Sequence, residues 1–75
     1  MELTHDGQWK ANVGDIFQHV QQKELLCLLL EDTPEGNHMA TKVRFITSNQ
    51  WMTKGFETRV NLVASHYSPL RLETK

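Results

Sequence analysis

Four histidines, one cysteine and an adjacent acidic pair are the residues through which this 75-residue chain could do chemistry. His5, His19, His38 and His66 never stand three or four positions apart, and Cys27 has no second cysteine with which to build a zinc pair. The plain reading is four solvated or hydrogen-bonded imidazoles near loops. Ser65 precedes His66, but the Gly-x-Ser-x-Gly turn that would expose a nucleophilic serine is missing. Glu31 and Asp32 are neighbours, and neighbours on a strand point to opposite faces, so they make no acid–base couple. Cys27 lies within Leu25-Leu26-Cys27-Leu28-Leu29-Leu30, where a thiol acts as a small buried hydrophobe. A glycine-rich phosphate loop is absent as well. In so short a chain a core and a substrate pocket would compete for the same apolar side chains. The sequence therefore predicts no catalytic residue, no metal and no cofactor.

Binding chemistry is better represented. The formal net charge is −1, which excludes a globally basic nucleic-acid binder, but the charge is unevenly spread. Residues 1–37 carry two basic and seven acidic side chains (−5), and residues 38–75 carry six basic and two acidic ones (+4). Opposed patches of this kind steer partners more than the total does. Lys42, Arg44 and Arg59 fall at outward positions of two alternating segments, and the connection between them holds Trp51 and Lys54. Tryptophan with arginine is a composition enriched at interface hot spots. These five residues are the candidate partner-binding set. For Trp51 two readings stand at this stage, an exposed anchor or a plug folded over the end of the core. The cations have an alternative too, as the charged face of a protected sheet edge.

Strands must position them. Met39, Thr41, Val43 and Phe45 alternate with Ala40, Lys42, Arg44 and Ile46, and Phe56, Thr58 and Val60 alternate with Glu57 and Arg59. Period two places the first set of each inward and the cations outward. Leu70-Arg71-Leu72-Glu73 alternates once more. Turn signals at Val13-Gly14-Asp15, Thr33–Asn37, Thr53-Lys54-Gly55 and Ser68-Pro69 divide the chain. Residues 15–32 fit two descriptions. Asp15 and Gln18 can be read as a helix capping box. The all-apolar Leu25–Leu30 run suits a central strand, with Gln18–Lys23 as the tip of a hairpin. Asn61 could cap a short helical turn before Pro69. The expected core is Val43, Phe45, Phe56, Val60, Leu62, Leu70 and alternate members of Leu25–Leu30, with Trp9 as a lid.

Val13-Gly14-Asp15-Ile16-Phe17 at the opening and Asn61–Leu70, with its Tyr67-Ser68-Pro69-Leu70 ending, resemble the first and last strands of small SH3-like proteins of bacteriophage type. The resemblance spans most of residues 13–72. It implies an all-β fold, a five-stranded, partly open SH3-like barrel with one short helical turn near residues 62–66, and it favours strands over a helix in residues 24–31. The whole chain, 1–75, then forms one small domain, with residues 1–12 packing over the barrel or flexible. The resemblance also implies an accessory protein that binds and modulates a host or viral protein. A second functional class is a salt-sensitive nucleic-acid binder, in which Lys42, Arg44, Lys54 and Arg59 meet phosphates and Trp51 or Phe56 stacks on bases. The charge balance favours a protein partner. No signal-like or bilayer-spanning segment is visible, so a cytoplasmic, membrane-independent protein is expected.

Overall fold

The structure is a computed structural model that describes residues 2–35 and 39–70. His38 and the expected strand residues 71–73 lie outside them. Seven strands follow in order: β1 (Glu2–Leu3), β2 (Trp9–Lys10), β3 (Ile16–His19), β4 (Leu26–Leu29), β5 (Thr41–Phe45), β6 (Glu57–Val60) and β7 (Tyr67–Pro69). β1 and β2 form a small hairpin, and the other five make an antiparallel sheet in the order β6-β5-β4-β3-β7. β6 and β7 stand at its two ends and do not pair, so the sheet curls into a partly open barrel. There is no helix among the described residues.

Residues 15–32 resolve into the β3–β4 hairpin, with Ile16 opposite Leu28 and Phe17 opposite Cys27. The helical reading fails because its two cap residues are used otherwise. Asp15 Oδ2 accepts the Asn12 N–H at 2.9 Å, and Gln18 donates from Nε2 to the Lys23 carbonyl at 2.8 Å, across the hairpin tip. β3 also runs two residues further than expected, through Gln18 to His19. Leu25, Cys27 and Leu29 enter the core, while Leu26 and Leu28 face outward half-buried.

β5 follows strict alternation: Thr41, Val43 and Phe45 are buried, and Lys42 and Arg44 are exposed. With Phe17, Leu29, Leu62, Tyr67 and Ala11 these residues complete the core, and Trp9, Met52 and Val60 pack against it. Three expectations need correction. Phe56 is 49% exposed, Met39 is exposed, and Leu70 is only half-buried. Phe56 has the inward parity, but it sits on the end strand where the barrel is open. Gly55 and Phe56 together face the single residue Phe45: Gly55 N–H donates to the Phe45 carbonyl (2.7 Å) and Phe45 N–H to the Phe56 carbonyl (2.9 Å). This is a β-bulge with glycine in its first place, and Gly55 has the φ of 92° that such a bulge requires.

The N-terminal hairpin lies over the open side. Trp9 N–H donates to the Leu62 carbonyl (2.8 Å), its indole N–H donates to the Tyr67 carbonyl (2.9 Å), and its ring lies 6.1 Å from that of Phe17. Trp9 is thus the lid the sequence suggests. The helical turn near residues 62–66 is a single turn, in which the Val63 carbonyl accepts from His66 and Tyr67 (3.0 and 2.9 Å). Asn61 does not cap it, since its buried Oδ1 has no hydrogen-bond partner among the described residues.

Candidate functional site

β5 and β6 bring the three strand cations to one face. Lys42 stands directly opposite Arg59, and Arg44 opposite Glu57. Two of the three are not free. Arg44 donates from Nε and Nη2 to Glu57 Oε2 at 3.0 and 2.6 Å. Arg59 Nη1 lies 3.0 Å from Glu31 Oε2, which also accepts the Lys42 backbone N–H at 3.3 Å. The hydrogen bonds from Arg44 hold the Glu57 carboxyl below its usual range, and the charges of Arg44 and Lys42 act in the same direction. Lys42 has an ammonium without an ion pair among the described residues. The face is therefore two ion pairs beside one unpaired cation, Lys42, rather than a wholly basic patch.

Towards β4 the same face turns aliphatic. Leu28 stands between Arg44 and Ile16 in one cross-strand row. Ile46 N–H donates to the Leu26 carbonyl (2.9 Å), which sets these two side by side. All four aliphatic side chains are half-buried. Inspection of the sequence missed this strip because a run apolar at every position shows no period. Its signal was the run itself, which implies a strand with apolar side chains on both faces.

Trp51 is 64% exposed, which excludes the plug. Its loop is nonetheless tightly built. Asn49 Oδ1 accepts the N–H groups of Trp51 and Met52 (2.9 Å each), and Asn49 N–H donates to the Met52 carbonyl (2.9 Å). Thr47 ties the loop to the β3–β4 tip by donating to the Glu24 carbonyl (2.6 Å) and accepting the Leu26 N–H (2.9 Å). Met52 packs inward on the core while its neighbour Trp51 stays outside. Lys54 is exposed in the turn that ends at Phe56. No ring–cation contact joins Trp51 to Lys42, Arg44 or Arg59 among the described residues. The five candidate residues thus fall into two groups, three on the sheet face and two on the loop that follows β5.

The fold also makes one pair that the sequence keeps apart. Pairing of β3 with β7 sets the His19 ring 6.1 Å from His66 and 5.2 Å from Tyr67, edge to face. His19 Nδ1 accepts the backbone N–H groups of Gln21 and Gln22 (3.1 Å each), so the ring caps the hairpin tip in its neutral form. Burial lowers its pKa, and the nearby His66 charge lowers it further. Ser65 Oγ lies 3.2 Å from His66 Nδ1, both exposed. No cluster of three or more potential metal ligands occurs among the described residues. Cys27 is buried, and that burial raises its thiol to about 11, far from a reactive thiolate. A polar depression lined by Glu2, Lys10, Asn12, Asp32 and Thr33 contains none of the five candidate residues.

No protein-family model matches this chain, and no curated protein or solved structure shows significant similarity to it.

Proposed function

We propose that this chain is a non-enzymatic binding module of the small bacteriophage barrel type, which docks and modulates a host or viral protein. Its recognition surface is the Trp51–Lys54 loop together with the outer face that carries Lys42, Arg44 and Arg59. The observation that carries this reading is Trp51, a large aromatic 64% exposed on a loop held by six hydrogen bonds. A rigid exposed indole loses little conformational freedom on docking and brings a large apolar area. The aliphatic strip of Leu26 and Leu28 beside Arg44 supplies the apolar complement of a protein contact. A nucleic-acid role draws less support, because Glu57 and Glu31 already neutralise Arg44 and Arg59.

The test compares the chain with Trp51→Ala in affinity capture from a bacterial host lysate, with and without nuclease. Trp51→Ala is expected to keep the unfolding midpoint, with a change below ~0.5 kcal/mol, and to lose ~2 kcal/mol or more of affinity for the captured protein. Lys42→Glu reverses the unpaired cation and should weaken capture as well. Equal capture by Trp51→Ala overturns the proposed surface. Capture abolished by nuclease, with log affinity falling against log salt at a slope of about −2, would instead mark phosphate contacts by Lys42 and Lys54.

A further inference from the structure

The two ends of the five-stranded sheet are not equivalent. At β7, three of the four Tyr67 and Pro69 backbone groups that point away from β3 are already used or missing. The Tyr67 carbonyl accepts the Trp9 indole N–H at 2.9 Å, the Tyr67 N–H donates to the Val63 carbonyl at 2.9 Å, and Pro69 has no N–H to offer. Among the described residues the β6 end has no such cover. The Phe45–Phe56 hydrogen bond sets the phase of the β5–β6 ladder. Thr58 and Val60, opposite Val43 and Thr41, therefore turn their backbone groups towards β5. The N–H and C=O groups of Glu57 and Arg59 then point out from the sheet, along an edge to which no described strand pairs. Next to these groups Phe56 is 49% exposed and Val60 is half-buried, on the side of the sheet that elsewhere faces the core.

An antiparallel neighbour on this edge must place its own outward-pointing residues opposite Glu57 and Arg59. For a second copy of the same strand, three twofold registers satisfy that rule. One sets Glu57 against Glu57, one sets Arg59 against Arg59, and the third centres on Thr58. In the third, Glu57 of each copy faces Arg59 of the other, twice. Phe56 faces Val60 twice, at non-hydrogen-bonded positions where side chains approach most closely. Thr58 meets Thr58 on the axis. The segment Phe56-Glu57-Thr58-Arg59-Val60 is thus chemically palindromic in the register its hydrogen-bonding phase permits.

We infer that two copies of this chain associate through β6, antiparallel about a twofold axis at Thr58, to form one continuous ten-stranded sheet. Charge complementarity selects both the occupant and the register, because like charges face each other in the two alternatives. The existing ion pairs extend rather than break. Glu31 and Arg59 of one copy continue into Glu57 and Arg44 of the other, so that each new contact joins opposite charges. The exposed Phe56, left uncovered by the monomer's own core, gains an apolar cross-strand partner. The association stands independently of the partner-binding surface proposed above, and it would carry two Trp51 loops in one particle.

Sedimentation equilibrium of the full chain from about 1 µM to 1 mM tests it. The mass is expected to rise from 8.7 kDa to twice that value. Glu57→Arg and Arg59→Glu each set like charges opposite one another at two symmetric places, and each should weaken the dimer about tenfold or more. An equimolar mixture of the two variants restores opposite charges at both places, and so does the double variant E57R/R59E. Both should recover dimerisation. Because the mixture leaves each chain's internal contacts as they were in the single variants, recovery there reports the contact between chains. Arg59→Pro removes the outward N–H together with the exposed Arg59–Glu31 ion pair, losses that an edge strand tolerates, and should yield a folded monomer. A mass of 8.7 kDa across the whole range, a dimer indifferent to the single reversals, or a mixture that fails to recover would each overturn the inference.

Discussion

Replacing Phe45 by alanine probes the centre of the barrel, where the core and the bulge meet. Phe45 is 2% exposed, faces Cys27 across β4 and makes both hydrogen bonds of the Gly55–Phe56 bulge through its backbone. Truncating a buried phenylalanine costs ~3–5 kcal/mol, from lost transfer energy and from the cavity that remains. The lower end applies here. Phe56 is half-exposed next to the vacated space and can swing partly over it, whereas Cys27 and Val43 are fixed on central strands. The expected loss is therefore about 3 kcal/mol. A 75-residue chain has a total stability of about 4–11 kcal/mol, so the variant keeps a small remainder. The assay is urea unfolding followed by far-UV circular dichroism and by tryptophan emission, to which Trp9, packed against Phe17, contributes the change and the exposed Trp51 a near-constant background. With a urea dependence of about 1 kcal/mol per molar, the midpoint should drop by about 3 M. A midpoint within about 0.5 M of wild type would refute the placement of Phe45 in the core and, with it, the register of β5 and β6.

Two further predictions concern a half-buried imidazole and a buried hydroxyl. His19 resists protonation in the folded chain because of its burial and of His66. The unfolded ring takes up its proton near pH 6.5, so stability is fully present above that pH. It falls as the pH drops through the lowered folded pKa and then levels off. Thermal melts from pH 8 to 5 should show this decline, and His19→Gln should flatten it; parallel profiles would refute the assignment. Thr41 is fully buried and its hydroxyl has no hydrogen-bond partner among the described residues. Thr41→Val should then raise stability by about 1 kcal/mol, since an unsatisfied polar atom gives way to a methyl of similar shape. A loss on urea unfolding would mean that the hydroxyl is satisfied, for instance by a buried water.

Period two was enough to place Thr41, Val43 and Phe45 inside and Lys42 and Arg44 outside, because β5 is central and each face has one environment. The same rule misplaced Phe56. Alternation gives the side of the sheet but not the distance to its open end, and nothing in Phe56-Glu57-Thr58 tells that β6 is a terminal strand. The turn at Thr53-Lys54-Gly55 was legible from its glycine, but the two-against-one pairing with Phe45 depends on the partner strand. The candidate cations were found from local pattern, and their neutralisation was not. Arg59 meets Glu31, 28 positions away, only through the sheet order. His19 and His66 likewise meet because β3 pairs with β7, a long-range contact that no local spacing encodes. Trp51 had two readings until Asn49 was seen to fix its loop with the indole outside.

The pairing of β7 with β3 has a kinetic consequence. β3 through β6 form a meander of neighbouring hairpins, which can zip in sequence as each turn closes. The final strand must instead return to the first member of the meander, and the Trp9 indole must reach a carbonyl 58 positions away. Such distant closures pay their loop entropy before they are rewarded, so folding on a scale of roughly milliseconds to seconds is the expectation for this topology. Until β7 docks, the outward N–H and C=O groups of Ile16 and Gln18 are unsheltered beside the half-buried side chains of Ile16 and Leu28. The nascent or partly unfolded chain then has two open edges rather than one, and the second carries no charged side chain on β3. Aggregation during refolding should start there, and a chain that lacks Tyr67–Pro69 would be trapped in that state.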